Sequence, residues 1–410
     1  MTESFDVVIV GGGIAGAGLA TVLARGGLQV CVLERQKQYA DRVRGEWMAP
    51  WGVAEAQQTG LYDVLMEAGG HHVAKQVPYG DWIAPQAAEA LALPVDTMYP
   101  GIPGPLCLAH FTATEALAQA AVGAGAAIVR GVTSVDTQPG ERPDVSWTVD
   151  GAEHIAVCRM IVGADGRVSA VRERAGITTG RVPERNHLSG LLVDDFDWPD
   201  TTTVIGAEGN LMYLIFPQGG RRARLYLGVP NSERSRFTGP KGPANFVDVF
   251  NFDSLPGSER VADATVAGPC AAYPGDDTWA DEPFADGVVL VGDAAGYSDP
   301  TIGQGLSIAM RDVRTVADVL LSGNDWRPAA FASYAEERAE RMRRLRVSAE
   351  LLGRLHVIDS PDARAIRERA FPSTMSDPNL LMVAVAPITG PDSPPAEAFD
   401  SGLIDRVFAA

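Results

Sequence analysis

A glycine-rich turn near the start of the chain constrains its fold more than any other feature. Residues 11–16 read GGGIAG and satisfy the pattern GxGxxG. The apolar run at residues 6–10 predicts a strand, residues 14–25 predict a helix, and residues 30–33 predict a second strand. Such a unit is typical of dinucleotide-binding α/β folds, because glycine permits the tight turn, the close approach of a pyrophosphate and the packing of helix on strand.

The acidic residue that accompanies such a turn is also present. Glu34 ends the second strand, 23 residues after Gly11, and a carboxylate at this place can accept hydrogen bonds from a ribose. Amides at the start of the helix would hold the phosphates, helped by the helix dipole. From this unit we predict the following cofactor-binding residues: Gly11, Gly13, Ala15, Gly16, Glu34 and Arg35.

A second glycine-rich stretch, residues 287–305, reads GVVLVGDAAGYSDPTIGQG. It predicts a buried strand, a turn that contains proline, and a helix start flanked by glycine. An Asp at the carboxyl end of the strand lies at the crevice where open α/β sheets bind ligands, so that it can bind a ribityl chain. The helix start presents amides and a positive helix end to an anionic ring system. The residues predicted to bind cofactor here are Asp293, Pro300, Gly303, Gly305 and Leu306.

The third motif is VGADGRVSAVR at residues 162–172. Asp165 follows a predicted strand, and Ser169 and Arg172 stand four and seven residues further on. Asp165 and Ser169 alone are typical of a turn followed by a helix cap. Beside the other two motifs, the segment favours cofactor binding, and we add Asp165 to the predicted site.

Together the three motifs resemble those of the flavoprotein monooxygenases of the p-hydroxybenzoate hydroxylase class, also called group A. The resemblance covers about residues 5–175 and 285–345. It implies a tightly but non-covalently bound FAD, a third motif that serves both flavin and nicotinamide, and NAD(P)H that binds only transiently. No second GxGxxG follows a strand, which agrees with a nicotinamide that has no Rossmann domain of its own.

The resemblance also implies contacts outside the three motifs. Arg44, in RVRGEW, fills the place of an arginine that contacts the flavin nucleotide. The chain departs from the family at two places: Gly296 stands where a His is common, and the arginine common near residue 113 is absent, with His110 the nearest polar candidate. Arg44, His110 and Val132 complete the predicted cofactor-binding set.

We therefore predict an α/β fold with an FAD-binding Rossmann-like domain of the glutathione reductase type, an inserted β-rich substrate domain and a C-terminal helical segment. Residues 73–105 are rich in Pro and Gly and are expected to be irregular. Six arginines suggest that the predicted helix at 334–357 is a solvated or surface-covering helix rather than an anion-binding one. The expected boundaries are 1–75, 101–180 and 285–333 for the discontinuous FAD-binding domain, 76–100 and 181–284 for the substrate domain, and 334–410 for the C-terminal helix and tail.

Composition narrows the range of partners. The formal net charge is -18, from 34 basic and 52 acidic residues, and this charge repels polyanions, so we expect neither nucleic acid nor an anionic membrane as a partner. The four cysteines lie far apart and the six histidines form no metal-binding motif, so we expect no disulfide framework and no metal. The scattered cysteines fit a reducing cytoplasm, and the acidic N-terminus and the lack of a long apolar run favour a soluble, unanchored protein. We expect a monomer or a homodimer.

These expectations point to an FAD-dependent monooxygenase, either a hydroxylase or an epoxidase, that uses NAD(P)H and O₂. Two alternatives stay open, namely a dehydrogenase or reductase of the same fold and a flavin-binding protein that sequesters a ligand. A flavin halogenase is disfavoured because the WxWxIP signature is missing and Trp47 and Trp51 precede a predicted helix instead.

The expected substrate is small and hydrophobic, either aromatic or polyketide-like. Aromatic or soft residues in segments near the expected flavin are candidates for the pocket lining. They are Trp47, Met48, Trp82, Tyr213 and Phe216. The sequence identifies no catalytic acid or base.

Overall fold

A computed structural model describes residues 3–409 of the chain, which form an α/β protein with several mixed sheets. The strands are β1 Glu3–Ser4, β2 Val7–Val10, β3 Val30–Glu34, β4 Trp47–Met48, β5 His71–His72, β6 Lys75–Gly80, β7 Leu106–Cys107, β8 Ala127–Arg130, β9 Val132–Gln138, β10 Asp144–Val149, β11 Ala152–Val157, β12 Met160–Gly163, β13 Gly180–Val182, β14 Asn186–Asp194, β15 Thr202–Glu208, β16 Leu211–Pro217, β17 Ala223–Pro230, β18 Thr265–Val266, β19 Ala271–Pro274, β20 Asp277–Trp279, β21 Phe284–Ala285 and β22 Val288–Leu290. The helices are α1 Ile14–Arg25, α2 Pro50–Gln58, α3 Tyr62–Glu67, α4 Pro85–Ala90, α5 His110–Gly123, α6 Ala170–Arg174, α7 Gly242–Val249, α8 Gly305–Ser322, α9 Ala332–His356, α10 Ala363–Ser376, α11 Pro378–Thr389 and α12 Ser401–Ala409.

A six-stranded sheet holds the glycine-rich turns. Its order is β21-β22-β12-β2-β3-β8, and every pair is parallel except β21 with β22. Strands β2, β3, β12 and β22 are buried along their whole length, as expected for a parallel sheet covered on both faces. The predicted strand, helix and strand at the start of the chain are confirmed by β2, α1 and β3.

The two faces of this sheet are covered differently because successive side chains of a strand point to opposite faces. Val7 and Ile9 of β2 pack into the apolar cluster that includes residues of α1, α5 and α8. Val8 and Val10 pack into a second cluster with residues of β10 and β11, which belong to a four-stranded sheet ordered β1-β11-β10-β9. The parallel sheet therefore lies between a helical layer and a β layer.

A seven-stranded sheet forms the second large unit. Its order is β18-β14-β17-β16-β15-β6, with β19 also paired to β14. One face carries the aromatic core that includes Phe237, Phe246 and Phe250. The other face packs against Trp47 and against apolar residues of α9, so it is this second face that lies towards the glycine-rich turns.

Residues 73–105 are less irregular than predicted. They contain β6, which pairs in parallel with β15 from Lys75–Thr202 to Gly80–Ala207, and the short helix α4. Pro78 does not exclude the strand, because β6 is the edge strand of its sheet. The helix predicted to follow Trp51 is divided into α2 and α3 at Gly60, whose φ is 67°, and Trp51 lies inside α2 rather than before it.

The prediction that the long arginine-rich helix is solvated or covers the surface fails for two of its arginines. In α9, Arg338 is 1% exposed and Arg341 is 0% exposed, because both bind the buried carboxylate of Asp312 on α8. The tail beyond it, which shows no motif, forms α10, α11 and α12 around a small apolar core. Within residues 3–409, no helix has the length and apolar character required to cross a membrane.

Candidate functional site

The first glycine turn packs directly against the third motif. Gly11 has φ 103°, and a side chain there would run into the backbone of Ala164 and Asp165. A side chain at Gly16 would collide with the carbonyl of Gly11. Apart from the adjacent residues of the chain, no protein atom lies within 4 Å of the position that a Cβ of Gly13 would occupy. The start of α1 therefore faces open space, which suits a bound phosphate.

Glu34 organises this turn from the end of β3. Its carboxylate accepts hydrogen bonds from the backbone N–H of Gly12 and of Gln36, both at 2.7 Å, and Tyr39 Oη donates to the Gly12 carbonyl at 2.6 Å. A carboxylate has about four acceptor positions, so each oxygen keeps one for a ribose hydroxyl. The Arg35 side chain is exposed, Ala15 is largely buried, and Val132 is buried in the layer beneath the sheet.

The second motif meets the first one at the carboxyl end of β22. A Cβ on Gly292 would lie 3.1 Å from the Cβ of Ala15. The Asp293 carboxylate is 40% exposed, and the nearest cationic group, Arg167 Nε, lies 3.9 Å away. An exposed carboxylate with a loose ion pair is free to accept hydrogen bonds from a polyhydroxylated ligand.

The Pro300 turn leads into α8 as predicted. Asp299 caps the turn by accepting a hydrogen bond from the N–H of Thr301 at 2.8 Å. Gly303 has φ 65°, and a side chain there would meet the Trp47 ring at 3.2 Å. Gly305 begins α8, and no protein atom lies within 4 Å of its Cβ position, whereas the Leu306 side chain is buried. The start of this helix thus leaves space for a ligand.

The third motif contributes hydrogen bonds within the protein, next to the site. Asp165 accepts hydrogen bonds from Ser169 Oγ at 2.5 Å and from the N–H of Ala170 at 2.7 Å, so its carboxylate caps α6. Burial raises the pKa of Asp165 above its usual value. Arg172 donates to the Ala294 carbonyl at 2.8 Å, which ties this motif to the second one.

A buried ionic cluster that the sequence analysis missed lies beside the site. Arg224 of β17 is fully buried, with Nε 2.9 Å from Glu46 Oε2 and Nη2 2.8 Å from Asp41 Oδ2. Glu46 Oε1 also accepts the N–H of His110 at 3.1 Å, and burial lowers the pKa of His110 to about 4, so its imidazole is neutral near pH 7. The available signal was a charged residue within the apolar strand ARLYLGVP.

The other predicted contact of this region, Arg44, is exposed, with its guanidinium 5.7 Å from the centre of the Tyr273 ring. Its carbonyl accepts a hydrogen bond from Tyr226 Oη at 2.8 Å. The loop that carries Arg44 is therefore held by the large sheet, and Arg44 and His110 lie at the junction of that sheet with α5.

The predicted substrate residues divide into two groups. Trp47 and Phe216 stack with their ring centres 6.0 Å apart, next to Gly303, and Met48 lines a narrow apolar gap with Ile14 and Leu306. Tyr213 is fully buried on the opposite face of the large sheet, where its Oη lies 2.9 Å from Ser254 Oγ. Trp82 packs against His356 and Phe371 of the C-terminal helices.

The expectation that Tyr213 and Trp82 line the same pocket as Phe216 is therefore corrected. Residues 213 and 216 are three positions apart on β16, and an odd separation places side chains on opposite faces of a strand. Trp82 follows β6 at the edge of its sheet, where α9 and α10 cover it.

Gly296 explains one departure from the expected family pattern. Its φ is 122°, and a Cβ there would lie 2.6 Å from the Cα of Trp279. A histidine does not fit against β20 at this position, because both the backbone conformation and the neighbouring strand exclude a side chain.

The assembled residues fit FAD. The starts of α1 and α8 each carry a glycine that faces open space, as required by the pyrophosphate and by an anionic ring. Glu34 can accept from a ribose, and Asp293, whose carboxylate is 40% exposed, follows β22 at the sheet edge where β2 and β3 also end. All these groups are contributed by this one chain.

Comparison with known proteins agrees with this arrangement. The chain is 27% identical to the flavin-dependent oxygenase ucdD of Aspergillus ustus, with 82% of this chain and 58% of that protein covered. It is 28% identical to digeranylgeranylglycerophospholipid reductase 2 of Methanothermobacter thermautotrophicus, with 77% of each covered. The chain thus spans less than two thirds of the length of ucdD.

Solved structures share the fold. The p-nitrophenol 4-monooxygenase PnpA of Pseudomonas putida DLL-E4 matches with a TM-score of 0.75 at 19% identity, covering 94% of this chain and 97% of that one. The flavin-dependent halogenase CmlS matches with a TM-score of 0.76 at 18% identity, covering 99% of this chain and 76% of that one. A family model described as FAD binding domain matches residues 4–348, and the chain therefore belongs to this family of FAD-binding flavoproteins.

Proposed function

We propose that this flavoprotein is an FAD-dependent monooxygenase that takes electrons from NAD(P)H and inserts an oxygen atom from O₂ into a small hydrophobic substrate, aromatic or polyketide-like. The observation that carries the proposal is the position of Trp47 beside Gly303, in the turn proposed to flank the flavin ring: a side chain at Gly303 would meet the Trp47 ring, which stacks on Phe216 of the large sheet. An apolar, aromatic surface thus adjoins the place where the reactive ring would lie.

The chain's own residues would have distinct tasks. Residues 11–16 and Glu34 hold the adenosine diphosphate half, Asp293 accepts hydrogen bonds from the ribityl chain, and the amides from Gly303 to Leu306 stabilise negative charge on the ring. FAD, when bound, supplies the capacity to accept a hydride from NAD(P)H and to activate O₂.

Exclusion of water is the second task. The sheet face that includes Met212, Leu214 and Phe216 is buried together with Trp47 and residues of α9. We propose that the predicted substrate domain, residues 76–100 and 181–284, closes over the flavin in this way. A dry site protects a reactive oxygen species from water and so couples reduction to oxygen transfer.

A reductase is the second candidate. It is favoured by the similarity to digeranylgeranylglycerophospholipid reductase 2, which extends over 77% of both chains. Such an enzyme would bind FAD through the same residues but would transfer electrons to the substrate rather than to oxygen. A third alternative is a protein that binds flavin and an aromatic ligand without turnover.

One set of measurements separates these functions. Purified protein should be yellow and should release FAD, not FMN, on acid treatment. A panel of phenols, polyketides and terpenoids is then tested for acceleration of NAD(P)H oxidation in air and under nitrogen. Incorporation of ¹⁸O from ¹⁸O₂ into the product is expected. A product that forms equally well under nitrogen and carries no label would replace the monooxygenase with the reductase, and the absence of any turnover would favour the ligand-binding protein.

A further inference from the structure

A buried arginine lies directly behind the turn that carries Asp293. Arg338 of α9 is 1% exposed. Its Nη1 donates to the Ala295 carbonyl at 2.9 Å, and its Nη2 donates to the carbonyls of Gly296 at 2.8 Å and Gly292 at 3.2 Å. One guanidinium therefore binds three carbonyls within five consecutive residues.

Asp312 of α8 completes this support. Its Oδ2 accepts the N–H of Gly292 at 2.8 Å and lies 3.1 Å from Arg338 Nε. Its Oδ1 lies 2.7 Å from Nη2 of Arg341, which is also fully buried. The N–H and the carbonyl of Gly292 are thus both held by one buried ion pair, which joins two helices to the turn.

The remaining carbonyls of the turn also have donors. Arg172 donates to the Ala294 carbonyl at 2.8 Å, and the N–H of Gly296 donates to the Asp293 carbonyl at 3.2 Å. Every carbonyl from residue 292 to residue 296 is therefore bound inside the protein. The half-exposed Asp293 carboxylate, with Arg167 no closer than 3.9 Å, is left available to a ligand.

Stability alone is a weak reason for such a cluster. Buried ion pairs often contribute no more to stability than apolar side chains of similar size, because two charges must be desolvated. A guanidinium, however, offers five N–H donors in a fixed plane and can bind several carbonyls at once. A lysine ammonium is a compact charge and does not reproduce this planar arrangement of donors. The feature that requires an arginine at position 338 is the set of three carbonyls.

We propose that Arg338 is a positioning residue for flavin binding, which fixes the turn of residues 292–296 so that Asp293 points towards the ribityl chain of FAD. The inference rests on the proposed role of Asp293 in the flavin site. Arg338 does not touch the cofactor in this proposal, and its effect is transmitted through the backbone carbonyls of the turn.

The test compares Arg338→Lys with the matched variant Arg341→Lys. Both residues are buried on α9 and pair with Asp312, but the contacts of Arg341 are to Asp312, Glu337 and the Ile308 carbonyl, and none is to the turn. FAD is removed from each protein, the dissociation constant of added FAD is measured by flavin fluorescence, and the thermal midpoint of the apoprotein is recorded. Arg338→Lys should weaken FAD binding about tenfold, while Arg341→Lys leaves it near that of the parent, although both lower the thermal midpoint.

A double-mutant cycle with Asp293→Asn adds a readout that a purely structural role would not move. If Arg338 acts through Asp293, Arg338→Lys has little further effect on the dissociation constant when Asp293 is already Asn. Equal weakening in both backgrounds, or equal weakening by Arg338→Lys and Arg341→Lys, would overturn the inference.

Two further measurements keep the outcomes distinct. If Asp293→Asn alone binds FAD as tightly as the parent, the proposed flavin site itself fails; if it binds weakly while Arg338→Lys binds normally, only the role of Arg338 fails. If Arg338→Lys does not fold, Arg172→Lys tests the same idea at the less buried donor to the Ala294 carbonyl. Unchanged FAD affinity in Arg172→Lys would then count against positioning of the turn by its carbonyl donors.

Discussion

Around the glycine turns, space for a ligand is left beside the backbone, at Gly13 and Gly305, whereas the facing elements, the large sheet and β4, contribute the side chains of Arg224, Phe216 and Trp47. Binding by backbone requires that side chains be absent, which leaves a visible glycine pattern. Binding by side chains requires only that strands bring distant residues together, and this requirement leaves no recognisable pattern in the sequence. We therefore expect substitutions at the glycine turns to change the affinity for FAD. Substitutions on the large sheet should change stability or the KM of the substrate.

The largest expected effect is a loss of FAD binding on substitution in the first glycine turn. Gly13→Val should abolish measurable FAD binding while lowering the thermal midpoint of the apoprotein only slightly, because its side chain would enter open space needed by the pyrophosphate and would disturb only the N-cap of α1. Gly16→Val should lower both, because its side chain would collide with the Gly11 carbonyl. Flavin fluorescence titration and thermal unfolding of the apoproteins separate the two. Retention of FAD by Gly13→Val would contradict the proposal that the start of α1 holds the pyrophosphate.

A large loss of stability is expected when Arg224 of the large sheet is replaced. Arg224→Ala leaves the buried carboxylate of Glu46 without its cation, and the free energy of unfolding should fall by about 3–5 kcal/mol. Arg222→Ala is the control, since Arg222 pairs with Asp194 while its side chain is 40% exposed, and its loss should cost about 0–1 kcal/mol. Urea unfolding of both variants measures the difference, and similar losses would contradict the assignment of a buried cluster.

The two faces of β16 give a smaller and sharper contrast. Phe216→Leu should raise the KM of a turned-over substrate about fivefold, in keeping with about 1 kcal/mol for an aromatic contact. Tyr213→Leu removes a similar ring from the opposite face, and should lower stability without changing KM. Steady-state kinetics on both variants decides this. A larger change in KM for Tyr213→Leu than for Phe216→Leu would indicate that Tyr213 lines the substrate pocket.

The remaining effect appears only at acid pH and concerns stability. Burial lowers the pKa of His356, beneath Trp82, to about 4 from its usual 6.5, so the unfolded chain takes up the proton first as the pH falls. This histidine therefore contributes stability that is lost between pH 6.5 and pH 4. His356→Gln should reduce the pH dependence of the free energy of unfolding in that window by up to about 1.4 kcal/mol per pH unit. Urea unfolding at several pH values tests it, and an unchanged slope would show that His356 is not buried as a neutral ring.

The sequence by itself determined the nucleotide-binding unit. Gly11, Gly16 and Gly303 stand where a positive φ or a close approach excludes a side chain, and such backbone requirements are local, so a short pattern reports them. Apolar runs and helix-forming residues likewise predicted β2, α1 and β3 with small errors at their ends.

Only the tertiary structure decided which distant residues meet. Arg224 finds Glu46 across 178 positions of the chain, and Arg338 reaches a turn more than 40 positions before it. Six arginines in one helix look solvated when only their charge is counted, yet two of them are buried because Asp312 compensates them. Local patterns report what the backbone of a short segment requires, whereas the partner of a buried charge depends on how strands and helices pack, which no short segment encodes.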